Sequence, residues 1–341
     1  MKLNCAQLRE IATGAVRVEE EDGGIRFYRF TKEQEELYER TSNYFYKKTL
    51  TTAGIKLIFK TNSEKLFLDI LVEWGARGVP YHYFSIDIFA DGKTVGYLDN
   101  FSDMMPLPQD YTDAHCPFGE FSKSFDLGSG TKLLCIHLPW SVKNLIKEIS
   151  IDDGAFIEPV KPQKKILAFG DSITHGYDAL RPSNRYVSKL AELLDAEEYN
   201  KAIGGEAFFP ELAELKDSFE PDYITVAYGT NDWNGTDEKT LKKNSKAFYE
   251  NISKIYPHSK IFAITPIWRK DMHEEREYGA FEDVEKHIKE AVKGIKNIEV
   301  ISGFNFVPKE EKYYADLKLH PNDEGFSHYY KNLYNEIKKY I

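Results

Sequence analysis

The stretch Lys165-Ile-Leu-Ala-Phe-Gly170-Asp171-Ser172-Ile173-Thr174-His175-Gly176 marks a change of pattern in the chain. Ile166–Phe169 is a short apolar run closed by Gly170, and it predicts a buried strand. Downstream, Tyr186, Val187, Leu190, Leu193 and Leu194 fall at helical spacing. A strand, a turn and a helix in that order form the first unit of an alternating α/β domain. The alternation continues to the end of the chain. Further strands are predicted near 197–202, 223–228, 260–267 and 298–302. Helices are predicted around 206–216, 238–255, 281–292 and 324–339. Five strands alternating with helices imply a three-layer, doubly wound α/β domain on a parallel five-stranded sheet.

Upstream of this stretch the pattern differs. Residues 1–157 contain short runs of β-branched and aromatic residues, at 25–30, 54–60, 65–73, 83–90, 94–98, 132–138 and 146–151. Turn residues such as Asp91-Gly92 and Asp153-Gly154 separate them, and little helical period is evident. Many short strands with frequent turns predict an antiparallel β-sandwich of jelly-roll type. Between the two patterns, residues 158–164 carry two prolines and a charge cluster without apolar periodicity, the composition of a linker. The expected organisation is a β-sandwich at 1–157, a linker at 158–164 and an α/β domain at 165–341.

Composition narrows the function classes. The chain has 341 residues, 42% hydrophobic and 29% charged, which is the balance of a globular protein. A net charge of −10 disfavours attraction to nucleic acid or to anionic membranes. No apolar run approaches the ~20 residues that a membrane helix needs. The N-terminal residues lack an apolar signal core. The three cysteines, Cys5, Cys116 and Cys135, are an odd number without metal-like spacing. These features together predict a reducing, cytoplasmic compartment, and they leave a homo-oligomer open.

Ligands on a doubly wound sheet bind beyond the C-terminal ends of its strands, so chemistry is expected of the residues there. After the first strand, Ser172 sits in a strand-to-helix turn, with its hydroxyl at the rim and its amide near a helix N-terminus. That placement suits attack on a carbonyl and stabilisation of the resulting oxyanion. After the second strand, Gly204-Gly205 allows a backbone N–H to approach a substrate oxygen closely. After the third, Asn231 offers a side-chain N–H to the same oxyanion. After the fifth, His320 lies in a loop just ahead of the last helix, and imidazole titrates near neutrality as a general base must. Each of these alone also fits a plain turn or cap. Together they place a nucleophile, two oxyanion donors and a base on one rim. Asp171, beside the nucleophile, reads as a structural acceptor of backbone hydrogen bonds. Trp233, Asn234, Trp268 and Arg269 follow the third and fourth strands and are candidates for a substrate wall.

These residues carry a resemblance. Segment 165–341 is similar to the SGNH, or GDSL-like, hydrolases, whose four blocks supply Ser, Gly, Asn and His. Gly170–Gly176 resembles the first block, Asn200–Gly205 the second and Gly229–Asp232 the third. The glycine five residues after the asparagine, Gly205, is the oxyanion donor that the resemblance implies, beside Ser172 and Asn231. The fourth block is usually Asp-x-x-His, whereas here Leu317 stands three residues before His320 and Asp316 four before. Asp316 is the expected third triad member if a one-residue bulge brings its carboxylate to the imidazole. A β-sandwich ahead of such a domain resembles the carbohydrate esterases of family two. The resemblance implies serine ester hydrolysis without metal or organic cofactor, acting on a small acyl ester or an acetylated sugar. The competing substrate class is a longer acyl chain, as in a lipase or thioesterase. A non-catalytic carbohydrate-binding role is the alternative outside enzymology.

Overall fold

A computed structural model describes residues 1–78, 82–112 and 114–341. The C-terminal half is built on a parallel sheet of Lys164–Gly170, Ala196–Asn200, Tyr223–Ala227, Lys260–Ile264 and Ile298–Ile301. In space the second of these strands lies at one edge, followed by the first, third, fourth and fifth. The strand order reverses between the first and third strands, and a crevice forms at such a reversal. All four inner positions of the first strand are buried, as expected of a strand covered on both faces. Helices Tyr186–Leu193, Glu238–Ile255, Asp283–Ala291 and Asp323–Ile337 cover the sheet.

The N-terminal half is an antiparallel sandwich. One sheet pairs Ala12–Thr13, Lys56–Thr61, Lys132–His137, Ser85–Ala90 and Lys93–Asp99 in that order. The other pairs Arg17–Glu21, Gly24–Tyr28, Val142–Ile151, Lys65–Gly75 and Gly119–Asp126. Leu57, Phe59, Ile86 and Ile136 from the first sheet meet Leu68, Ile70 and Ile149 from the second in one apolar core. The Asp91-Gly92 turn has φ of 50° and 74°, the paired left-handed conformation that closes a two-residue hairpin.

Several elements differ from expectation. Among the described residues the N-terminal half contains three α-helices, Cys5–Ile11, Lys32–Thr41 and Asn43–Thr49. They are too short to show a period, and their caps define them instead. Asn4 with Gln7, and Thr31 with Gln34, form reciprocal capping boxes. Strands Arg17–Glu21 and Gly119–Asp126 are largely polar, which hid them from an apolar reading. The helix expected at 206–216 is only a 3₁₀ turn at Leu212–Glu214, because Pro210 interrupts it and Glu206 and Asp217 are drawn into buried contacts. Glu158–Pro159, expected within a linker, pairs as an edge strand with Lys60 and Phe59. Among the described residues no helix is long and apolar enough to cross a membrane.

The two halves share interior. One apolar cluster joins Tyr83, Trp140 and Ala76 to Ile166, Tyr177 and Phe326, and another joins Phe30, Leu37 and Tyr38 to Leu167, Phe208 and Tyr228. Arg29 is fully buried between them. Its guanidinium donates to the carbonyls of Lys48 and Thr51 in its own half, and to those of Asn200 and Ala202 in the other. Burial, aided by the nearby Arg185 charge, pulls Arg29 down to about 9. Lys201 returns the contact, donating to the Arg29 carbonyl, to Gln34 Oε1 and to Asp217 Oδ1 at 2.7–2.8 Å. Replacing Arg29 by Met takes a donor from four buried carbonyls, of which that of Lys48 keeps the Thr51 hydroxyl. At ~1 kcal/mol or more for each of the other three, unfolding in urea should show a loss of at least about 3 kcal/mol. A loss under ~1 kcal/mol would show that Arg29 does not join the halves.

Candidate active site

The site begins where the first parallel strand ends. Asp171 caps a single helical turn, Ser172–His175, and its Oδ1 accepts the Ile173 N–H at 2.9 Å. That is the structural role expected of it. Burial pushes the Asp171 carboxyl up to about 6, against the opposing pull of the Ile173 amide and the His320 charge. Gly176 then ends the turn in the left-handed region with φ 112°, and a Cβ there would stand 2.0 Å from Arg185 Cδ. Only glycine fits.

Ser172 Oγ lies 2.8 Å from His320 Nε2. His320 Nδ1 lies 2.7 Å from Asp316 Oδ2. The extra residue between aspartate and histidine is absorbed at Leu317, whose φ of 57° is left-handed. The bulge folds the loop back so that Asp316 Oδ1 accepts the N–H groups of Lys318, Leu319 and His320 at 2.9, 2.7 and 3.0 Å. Burial alone would raise the Asp316 carboxyl. The hydrogen bonds from His320 and these amides outweigh it and hold the group well below the usual carboxylate range. Asp316 is therefore an anion hydrogen-bonded to the imidazole.

The second and third loops are tied to each other and to the Ser172 turn. Gly205 is left-handed with φ 89° at an exposed turn, which the Glu206 N–H closes by donating to the Ile203 carbonyl. Gly204 is required for a different reason, since a Cβ there would meet the Tyr177 hydroxyl at 2.3 Å. Asn231 Nδ2 donates to the Glu206 carbonyl at 3.0 Å, which fixes the amide in the neighbourhood of Gly205. Asp232 Oδ1 accepts the Phe208 N–H, a second tie between the same loops. Asn200 Nδ2 donates to the Thr174 carbonyl at 2.8 Å and locks the second loop to the nucleophile turn. Ser172, His320 and Asp316 thus form one hydrogen-bonded line, and the loops of Gly205 and Asn231 are joined beside the turn that carries Ser172.

The expected substrate wall needs correction. Trp233 is 1% exposed, its indole N–H donates to the Gly279 carbonyl, and its ring packs edge-on against Phe281. Arg269 is buried, forks onto Asp271 and donates to the Thr230 carbonyl. Both are interior supports, because apolar and ion-paired burial is available to them behind the third loop. Asn234 is exposed, and Trp268 is half-buried against Tyr314.

Some site residues left no local trace in the sequence. Glu206 is buried, and accepts hydrogen bonds from Tyr38 and Tyr228 at 2.7 Å each. Burial pushes its carboxyl up to about 8. Lys48, from the short N-terminal helix Asn43–Thr49, donates to the Gly204 carbonyl, and burial draws its ammonium down to about 7. A Cβ on Gly205 would stand 3.7 Å from this Nζ. Tyr38 lies 168 residues from Glu206, and Gly204 lies 156 from Lys48, so no spacing pattern could reveal these pairs. Asp178, Asp316 and His320 bring carboxylate and imidazole atoms within 4.8 Å of one another. The imidazole nitrogen is engaged by Asp316 and the Asp178 charge is matched by Arg77, so their chemistry is that of a hydrogen-bond network.

Comparison with known proteins agrees with this architecture. Residues 168–327 match the model of the GDSL-like lipase/acylhydrolase family. The match places a GDSL-like lipase/acylhydrolase domain in the C-terminal half of the chain, which supports a carboxylic ester hydrolase. A Bacteroides ovatus protein described as a GDSL-like lipase is similar over 99% of this chain and 97% of its own, with 20% identity and a TM-score of 0.78. The salicylyl-acyltransferase SsfX3 of a tetracycline biosynthetic pathway is similar over 96% and 94%, with 19% identity and a TM-score of 0.77. A family two carbohydrate esterase from Clostridium thermocellum, in complex with cellohexaose, is similar over 85% and 93%, with 14% identity and a TM-score of 0.60. At such identities the likeness establishes the fold, including the sandwich in front of the parallel sheet. No curated protein matches the chain by sequence.

The raised Glu206 carboxyl has a consequence for stability. Between the unfolded value of ~4.3 and the folded value of about 8, the native state holds a proton that the unfolded chain has lost. Stability from this group is therefore lost as pH rises through that window. Glu206→Gln should gain on the wild type by ~1.4 kcal/mol per pH unit between pH 5.5 and 7.5. Denaturant melts at three pH values would check it, and a difference independent of pH would refute it.

Proposed function

We propose that the chain is a serine esterase that removes small acyl groups, acetyl foremost, from carbohydrate hydroxyls through a covalent acyl-enzyme. Ser172 is the nucleophile, His320 the general base and Asp316 its orienting carboxylate. Ser172 and Gly205 amides with the Asn231 side chain form the oxyanion hole. The observation that carries this reading is the unbroken line of hydrogen bonds from Ser172 Oγ through the imidazole to Asp316, at 2.8 and 2.7 Å. In this scheme residues 165–341 are the catalytic unit and 1–157 an accessory region packed against it.

The chemistry follows from the order of these groups. His320 Nε2 takes the hydroxyl proton as Ser172 Oγ bonds to the ester carbonyl carbon, and negative charge moves to the carbonyl oxygen. Collapse of the intermediate breaks the bond to the leaving oxygen, which receives that proton from His320. Water then enters, gives a proton to His320 and adds to the acyl carbon, and the carboxylic acid leaves as Ser172 regains its proton. Asp316 stays ionised throughout and stabilises the transient imidazolium.

The short acyl group is supported by burial, since Ser172 is only 4% exposed. The sugar is supported by two accessible rings, the half-buried Trp268 after the fourth strand and the exposed Tyr44 over Lys48, which offer flat faces to a pyranose ring. The cellohexaose bound by the similar Clostridium esterase also supports it.

Ser172→Ala should lower kcat on p-nitrophenyl acetate by roughly 10⁴–10⁶-fold with an unchanged melting curve, and Asn231→Ala by ~10²–10³-fold. Survival of activity in the Ser172 variant would end the proposal. Rates on acetyl, butyryl and octanoyl esters should fall with chain length. A preference for octanoyl would replace the deacetylase reading with that of a lipase.

A further inference from the structure

Asp178 lies outside the four loop blocks, yet its carboxylate faces the base. It is fully buried, six residues past the nucleophile. Its φ of 73° is left-handed, a conformation uncommon for a residue with a side chain and kept only where surroundings enforce it. Asp178 Oδ2 stands 3.5 Å from His320 Nδ1, the nitrogen that Asp316 also engages.

The N-terminal half holds this carboxylate in place. Arg77 Nε donates to Asp178 Oδ1 at 3.1 Å and Arg77 Nη2 to Oδ2, while the Tyr83 hydroxyl donates to Oδ1 at 2.8 Å. Tyr111 donates to the Asp178 backbone carbonyl at 2.6 Å, and Trp140 to that of Ala179 at 2.8 Å. Tyr177, whose ring lies 5.9 Å from that of His320, donates to the Ala76 carbonyl. The charged and titratable groups around the imidazole are therefore Asp316 on its own loop, Asp171 beneath it, and Asp178 with Tyr177 on the nucleophile loop. Arg77, Tyr83 and Tyr111 face them from the sandwich, and Asp323 lies behind, accepting the Leu180 N–H.

Two carboxylates beside one imidazole repel each other unless a cation offsets one of them. Arg77 is that cation. We propose that Asp178 is a positioning residue for His320, a second carboxylate supporting the imidazolium, with its charge set by Arg77 of the N-terminal half. The proton stays on the imidazole, and Asp178 acts through its field and by limiting where the ring can turn. The proposal rests on His320 being the general base.

The test is the pH profile of kcat/KM for p-nitrophenyl acetate at low ionic strength, whose acid limb reports the base in the free enzyme. Asp178→Asn keeps the shape and the acceptor for Tyr83 but removes a negative charge, so the limb should move to lower pH by about 0.5–1 unit. Arg77→Gln removes the offsetting cation, so the limb should move to higher pH by a similar amount. Loosened packing would move both variants the same way, whereas opposite displacements require the charges. Limbs that stay in place, or move together, overturn the proposal. If Asp178→Asn does not fold, Arg77→Gln decides alone: an upward shift sustains the proposal and an unmoved limb ends it. His320→Ala and Ser172→Ala serve as controls. If they stay active the esterase reading fails, and if they are inactive while both limbs stay in place only the role of Asp178 fails.

Discussion

The hydrogen bond from Ser172 Oγ to His320 Nε2 joins residues 148 apart, and the polar contacts around it hold its two ends still. On the serine side, Asp171 caps the turn, Asn200 grips its Thr174 carbonyl, and Gly176 lets the chain leave without touching Arg185. On the histidine side, the Asp316 carboxylate accepts three backbone amides and the imidazole at once. A side-chain hydrogen bond of ordinary strength contributes only ~1 kcal/mol in net terms. Its geometry here is set by the loops rather than by its own attraction, and this is what pre-organisation means for a nucleophile and its base.

Much of this was visible in the sequence because it is local. The apolar run 166–169 ending in glycine, and the later β-rich runs, place the five parallel strands to within a few residues. Helix Glu238–Ile255 begins and ends where its periodicity begins and ends. The displaced aspartate before His320 required a bulge, and Leu317 is left-handed as that reading needs. What stayed hidden depends on distant partners or on caps. The N-terminal helices of seven to ten residues bury only a few side chains each, so their capping boxes are a stronger signal than their hydropathy. Trp233 and Arg269 follow strand ends, the position of a wall residue. Their burial behind the third loop is decided by distant groups, Phe281 for Trp233 and the Thr230 carbonyl, 39 residues away, for Arg269.

Charge is distributed unevenly around the rim. Asp316 is surrounded by donors and stays anionic far below neutrality, while Glu206, one loop away, meets two tyrosine hydroxyls and little else, and is neutral over much of the physiological range. The same residue type thus serves as a fixed charge in one place and a hydrogen-bonding spacer in the other. The difference lies in whether an imidazole and backbone amides reach the carboxylate. This keeps negative charge concentrated behind the imidazole and away from the Gly205–Asn231 side, where an oxyanion would develop.

The buried guanidinium of Arg29 links the two halves in time as well as in space. Its acceptors lie on both sides of residue 165, so a chain emerging from the ribosome presents Arg29 long before Asn200 and Ala202 exist. Until then the helices Lys32–Thr41 and Asn43–Thr49 have no surface to close against, and the arginine stays hydrated. The sandwich core at Leu57, Ile70 and Ile149 needs nothing from downstream and can form first. The order of assembly that follows is a β-core that waits, with its helical flank open, for the parallel sheet to arrive.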